Sequence, residues 1–241
     1  MKYSRLFLLL MAWEGSVWLG YNGHLLRTQV WILFEKQTIY EGFYIGSSFY
    51  NAESIMLVLA VTSVMAMEYC LKEENVPMLV RCCSRRDFVS RRWKTLTAVS
   101  LMYVLIHFVL GWGLSLVLFD EVFTKTRETV AFYMASAPLL FLFFLRGNVV
   151  YAFLRDFFQK KIFAMAGILA LYIAEYFIGY YMLEGVWLPC KDVDIGRAAY
   201  FGYSGSMEIV LALARQAGMT VMTAVLSTKY FERKDVIQLE R

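Results

Sequence analysis

The chain has 241 residues, of which 59% are hydrophobic and only 18% are charged, and it has a net charge of +4. Its mean hydropathy is +0.52. A soluble domain has about 25% charged residues, so this composition excludes an ordinary soluble fold. The positive charge does not indicate nucleic-acid binding, because the basic residues cluster at the ends of apolar runs, where topology signals and contacts with anionic lipid are found.

Apolar runs of about 20 residues predict membrane-spanning helices. Taken in chain order, six such runs lie at 3–21, 49–69, 95–119, 129–154, 162–183 and 207–228. No small-residue cleavage pattern follows the first run, "MKYSRLFLLLMAW", so it is interpreted as a retained span and not as a signal peptide. We therefore predict an all-α, polytopic membrane protein with one six-helix domain over residues 1–241.

The lysine and arginine residues predict the orientation of these spans. If the N-terminus is cytoplasmic, sixteen of them lie in inside segments and six in outside segments. Short cytoplasmic loops carry the excess of basic residues, so both termini are predicted to be cytoplasmic. The most basic stretch, "VRCCSRRDFVSRRWK", then lies in a cytoplasmic loop at 70–94. The aromatic-rich outside segment 22–48 is predicted either to lie at the membrane surface or to pack over helix ends.

Four ionisable residues lie well inside predicted spans: Glu14, Arg146, Glu175 and Arg215. A charge at the centre of a membrane helix costs at least about 2.5–3.5 kcal/mol, so these side chains should face protein or water. Glu175 and Arg215 each lie about 20 Å from the cytoplasmic ends of their spans, at about 1.5 Å per residue. This match predicts that they pair, either as a structural ion pair or as the lining of a path for a polar substrate.

The residue types needed for most membrane-enzyme chemistry are scarce. The chain has two histidines, His24 and His107, and no H-E-x-x-H sequence, so no metal site is predicted. It also has no G-x-x-x-x-G-K-[ST] sequence, so it is not expected to hydrolyse ATP itself. We predict no catalytic residue and no cofactor bound by this chain.

The loop at 70–94 and the C-terminus resemble the permeases of exporter-type ABC transporters, a family that includes drug, lantibiotic and peptide export or immunity systems. In that family the second span ends at a glutamate, and a Ser-Arg pair and then a lysine precede the third. The matching positions are Glu68, Ser84–Arg85 and Lys94. The C-terminal sequence "KYFERKDVI" is similar to the family's ending, in which an aromatic, a basic cluster and an Asp-Val or Asp-Ile follow the last span.

The resemblance implies that the loop at 70–94 contacts a separate ATPase chain. The candidate coupling residues are Glu68, Glu73, Glu74, Arg81, Ser84, Arg85, Arg86 and Lys94. The alternative is that these charges only set topology and touch lipid headgroups.

By the same resemblance, two such permeases, identical or different, work with two cytoplasmic ATPases that bind ATP and Mg²⁺. They lie in a bacterial plasma membrane and move an amphipathic or hydrophobic substrate such as an antimicrobial peptide. Two other functions stay open: a membrane-embedded solute-binding subunit for uptake, and a six-span membrane enzyme.

Overall fold

The computed structural model describes residues 2–27, 52–71, 85–118, 126–183, 186–200 and 203–233. Within these ranges 94% of the residues are helical and none is in a strand. The predicted all-α class is therefore confirmed for this part of the chain.

Six long helices and two short ones make up the described residues. The first four are α1 (Lys2–Arg27), α2 (Ala52–Leu71), α3 (Arg85–Leu118) and α4 (Thr126–Phe158). The others are α5 (Lys161–Met182), α6 (Pro189–Val193), α7 (Ile195–Tyr200) and α8 (Ser206–Arg233). Single π-helical segments interrupt α2 at Ile55–Leu59 and close α5 at Ile178–Met182.

Five of these helices are long and apolar enough to cross a membrane, namely α2, α3, α4, α5 and α8. Each coincides with a predicted span, so the sequence pattern located them correctly. A 26-residue helix, α1, occupies the site of the first predicted span. The chain therefore has the helices of a multi-pass membrane protein.

Four helices extend by four residues or more past the predicted ends of their spans, namely α1 to Arg27, α3 from Arg85, α4 to Phe158 and α8 to Arg233. The third span was predicted to begin at residue 95, but α3 already begins at Arg85, and the fourth was predicted to end at 154, but α4 continues to Phe158. A span prediction stops where charged residues begin, whereas Arg and Lys are good helix formers and continue the backbone hydrogen bonding. Part of the predicted loop at 70–94 is therefore the first turns of α3.

The central helix of the bundle is α4. It packs most extensively along α8, α5 and α3, and it also contacts α2 and α7. Its aromatic residues Phe143 and Phe144 are fully buried; Phe144 meets Tyr103 of α3 edge-on, and Phe143 lies against Tyr172 of α5. Because so many helices share α4 as a partner, a displacement of α4 must disturb most of the core.

Two glycines allow neighbouring helices to approach α4 closely. A Cβ atom at Gly147 would lie 1.6 Å from the hydroxyl oxygen of Tyr172 on α5. A Cβ atom at Gly196 of α7 would lie 1.9 Å from the hydroxyl oxygen of Ser136 on α4. Both glycines are needed because any side chain would occupy the space of a buried neighbour.

The bundle is unevenly packed. In the most apolar 18-residue stretch of each helix, 50–61% of the residues of α2, α3 and α4 are buried, against 28% for α5 and 17% for α8. Both α5 and α8 pack against α4, but neither is enclosed by other described helices. Their outer faces therefore present apolar side chains at the surface of the bundle.

Candidate functional site

Glu14 lies in a buried stripe of α1, which also contains Leu6, Leu10 and Trp18 at a spacing of four residues. The stripe faces α3, where Nδ1 of His107 lies 3.2 Å from Oε2 of Glu14. Both side chains are completely buried. Glu14 therefore faces protein, one of the two environments predicted for it, and His107 is a buried residue with a polar contact.

Arg146 of α4 pairs with Glu175 of α5. Its Nη2 atom lies 3.1 Å from each carboxylate oxygen of Glu175, and the two side chains are only 6% and 9% exposed. The guanidinium also lies over the ring of Phe143, 5.3 Å from the centroid. A buried charge is tolerated when it is paired in this way.

Arg215 of α8 pairs with Asp192 of α6 at 2.6 Å, and its guanidinium lies over the ring of Trp187 at 5.1 Å. The predicted pair of Glu175 and Arg215 was therefore wrong. Because α4 extends to Phe158, Arg146 lies about 18 Å from that end of the helix, at about 1.5 Å per residue. This depth matches that of Glu175. The carboxylate that pairs with Arg215 comes instead from Asp192 of α6.

A cavity of about 510 Å³ opens between α4, α5 and α8, and we refer to it as the cleft. Its walls are mostly apolar and include Val150, Ile168, Leu171, Ile178, Leu188 and Met219. Arg146 and Glu175 form the charged part of the wall, and Thr223 also lines it. Small-molecule sites have volumes of about 300–1,000 Å³, apolar walls and a few polar groups, so the cleft is the candidate binding site.

The start of α6 contributes to the wall of the cleft. Pro189 begins α6, where a proline suits the first helical turn, and together with Leu188 it lines the cleft. Asp192 is 1% exposed and accepts hydrogen bonds from Trp187 and Gln216 in addition to its pair with Arg215. These bonds fix α6 to α8.

Asp194, at the junction of α6 and α7, fixes the same segment to α2 and α5. One carboxylate oxygen accepts from the backbone N–H of Ala52 at 3.2 Å, and the other accepts from the hydroxyl of Tyr180 at 2.5 Å. Burial raises the pKa of the Asp194 carboxyl above its ordinary value, although Arg197, 3.5 Å away, opposes this shift. Sequence reasoning placed this segment in an outside connection and missed both aspartates.

Cys190 joins α6 to the residue that carries the cleft's negative charge. Its Sγ atom lies 3.4 Å from the backbone carbonyl oxygen of Glu175 and donates to it. Burial, followed by the charge of Glu175, raises the pKa of the Cys190 thiol to about 11. The side chain is therefore a buried, protonated thiol.

A second set of charged contacts lies at the loop end, which is the end of the bundle where α2 ends and α3 begins. Here Arg92 of α3 forms a two-pronged bond with Asp156 of α4, at 2.6 and 3.2 Å, and it also donates to the backbone carbonyl of Ala152 at 3.3 Å. Its guanidinium lies over the ring of Phe231 of α8, which stacks on Phe88. The start of α3 is therefore bonded to the ends of α4 and α8.

Glu68, near the end of α2, is bonded to α4 as well. Its carboxylate accepts from the hydroxyl of Tyr151 at 2.7 Å and lies 3.6 Å from Nε of Arg155. Arg155 also donates to the backbone carbonyl of Leu71, the last residue of α2, at 3.1 Å. Both flanks of the segment 72–84 are thus attached to α4.

The other candidate coupling residues are placed only in part. Glu73, Glu74, Arg81 and Ser84 lie outside the described residues, and Arg85 and Arg86 are described by their backbone alone, in the first turn of α3. Lys94 is exposed on α3, two residues beyond the buried Arg92. Of the predicted set, Glu68 is therefore the one whose side chain is seen to be bonded inside the bundle.

Comparison of the chain with family models, with curated proteins and with solved structures found no match.

Proposed function

We propose that this chain is the permease subunit of an ABC transporter, which exports or removes an amphipathic or hydrophobic substrate and is driven by a separate ATPase. In this proposal the chain is not itself catalytic. ATP and Mg²⁺ are bound by two ATPase subunits below a pair of permeases in the bacterial plasma membrane. The basis is the resemblance at Glu68, Ser84–Arg85, Lys94 and the C-terminus, together with a multi-pass helical bundle.

One structural observation supports this proposal more than any other. The two flanks of the predicted coupling segment are attached to α4 through Glu68–Arg155 and Arg92–Asp156, and the same helix carries Arg146 in the wall of the cleft. Arg146 lies nine and ten residues before these two anchors, which is about 14–15 Å along a helix. A force applied to the segment 72–84 would therefore reach the cleft through a single helix.

Purification of the intact chain from its host in mild detergent tests the proposal directly. We expect an ATP-binding protein to co-purify in an equal amount. If the chain purifies without an ATP-binding partner and binds a small solute tightly, it is a solute-binding subunit and the proposal is wrong. If it turns over a substrate alone, it is an enzyme.

Charge reversal in the coupling segment provides a second test. The double variant Arg85→Glu/Arg86→Glu should still insert into the membrane, but ATP hydrolysis by the complex should no longer respond to substrate. Arg91→Glu is the matched control because Arg91 is exposed on the same helix, six residues further along. Normal coupling in the double variant would count against an ATPase contact at these residues.

A further inference from the structure

The cleft contains an arginine, Arg146, one of whose two terminal nitrogens has only a weak acceptor among the described residues. Nη2 of Arg146 bonds Glu175, while the acceptor that the described residues offer to Nη1 is the sulfur of Met219 at 4.0 Å. A thioether is a weak acceptor, and a guanidinium has five donors. Both Arg146 and Met219 line the cleft. A ligand atom that accepts more strongly than the Met219 thioether could therefore take over this hydrogen bond from Nη1.

The charge of the site selects among possible acceptors. Arg146 and Glu175 together are neutral, and they lie next to each other in the same wall. An anionic group at Nη1 would approach the carboxylate of Glu175, and a cationic group would approach the guanidinium; in an apolar site either contact is costly. An uncharged carbonyl oxygen can accept from Nη1 with neither penalty.

The apolar wall leads to the surface of the bundle. Leu171 and Ile178 both line the cleft, and they are 42% and 38% exposed. They lie on α5, which with α8 is the least enclosed of the membrane-crossing helices. A ligand can therefore enter from the lipid side, with an apolar chain remaining along α5.

We propose that the cleft binds a neutral single-chain amphiphile, whose acyl chain lies along the apolar wall of α5 and α8 and whose ester or amide carbonyl accepts a hydrogen bond from Nη1 of Arg146. This names a substrate class for the proposed transporter. This inference depends on the proposed transport function only for the fate of the ligand after it has bound. The binding itself requires no ATPase, so the two proposals can fail separately.

Photolabelling of the full-length chain in phosphatidylcholine nanodiscs tests this inference. Three diazirine probes of equal chain length are compared: a monoacylglycerol, a fatty acid and an alkyltrimethylammonium. The monoacylglycerol should label α5 and α8 next to the cleft saturably, with labelling about tenfold stronger than that by either charged probe, which is the value of about one charge-assisted hydrogen bond. Equal labelling by all three probes would reduce the cleft to a general lipid contact and overturn the proposal.

Two alanines of α5 provide matched variants. Ala174 and Ala170 are both exposed, but only Ala174 lines the cleft. Ala174→Phe should fill the cleft and reduce monoacylglycerol labelling about tenfold through lost apolar contact, whereas Ala170→Phe should leave it unchanged. Unchanged labelling in Ala174→Phe would contradict the proposed location.

The carbonyl contact is tested by Arg146→Lys, which keeps a positive charge beside Glu175 but removes the guanidinium fork. Labelling by the monoacylglycerol should fall by up to the tenfold that the hydrogen bond provides, while labelling by the two charged probes should stay unchanged. Should this variant fail to fold, the two alanine variants still decide the location.

Displacement of the probe by a capped hydrophobic peptide, but not by unlabelled monoacylglycerol, would show that the ligand is a peptide and overturn the proposal.

Discussion

Two buried arginine–carboxylate pairs each have one member on α4, and they differ in what surrounds them. Arg92–Asp156, at the loop end, and Arg146–Glu175, in the cleft, are almost equally buried, with side chains 8% and 11% exposed in the first pair and 6% and 9% in the second. In the first pair two guanidinium nitrogens meet two carboxylate oxygens, and a backbone carbonyl takes a further bond. In the second pair one nitrogen, Nη2, serves both oxygens, and the other, Nη1, donates to the thioether sulfur of Met219 at 4.0 Å.

The comparison shows that equal burial does not imply an equal role. A forked pair with a further carbonyl acceptor meets the requirement for a buried ion pair that stabilises a fold. In the second pair Nη1 of Arg146 has a weak sulfur acceptor, and both members line an apolar cavity. Both pairs therefore join helices, and the second also lines the cleft that we propose as a ligand site.

The largest expected effect is the loss of stability when the acidic residue of each pair is removed in turn. Asp156→Leu should lower the free energy of unfolding by about 3–5 kcal/mol, because Arg92 is left charged in a closed environment. Glu175→Leu should cost less, about 1–3 kcal/mol, because Arg146 can turn toward the cleft. Denaturant or thermal unfolding in a fixed detergent measures both.

The double variant Arg92→Met/Asp156→Leu is the control for this prediction. It removes both charges, so most of the lost stability should return. Equal losses of stability in the two single variants would mean that the open cleft does not lower the cost of removing the acid beside Arg146. The proposed difference between the two pairs would then be wrong.

A smaller effect is expected from adding a methyl group where α4 and α5 are in contact beside the cleft. Gly147→Ala should cost about 1–3 kcal/mol, because the new methyl group would overlap the hydroxyl of Tyr172. Tyr172→Phe in the same chain should recover part of this loss. Gly113→Ala on α3 is the matched control, since nothing lies within 4 Å of its Cβ position; an equal loss there would indicate a general effect of the substitution.

The smallest effect concerns Asp194, at the junction of α6 and α7, and depends on pH. Because the pKa of Asp194 is raised in the folded protein, the unfolded state loses its proton first as the pH rises. The contribution of Asp194 to stability should therefore fall from about its ordinary pKa up to its folded pKa and stay constant above it. Asp194→Asn should remove this slope. Melting temperatures of both chains between acid and neutral pH measure it, and parallel curves would contradict the assignment.

Much of the helical architecture could be predicted from hydropathy, because a membrane helix must satisfy its own backbone and present apolar side chains over a fixed length. For the same reason the need of Glu14, Arg146 and Glu175 for polar partners was predictable. Their partners were not. Depth along a span depends on where the helix ends, and α4 continues past the charges at which a hydropathy window stops.

The composition and order of residues by themselves determined that the chain forms long apolar helices and that charges buried within them must be paired. Only the tertiary structure decided that Arg146 binds Glu175 while Arg215 binds Asp192. Partner choice depends on helix rotation, on close approach at Gly147, and on α6 and α7 folding back against the bundle. These are contacts between distant parts of the chain, and local sequence patterns do not encode them.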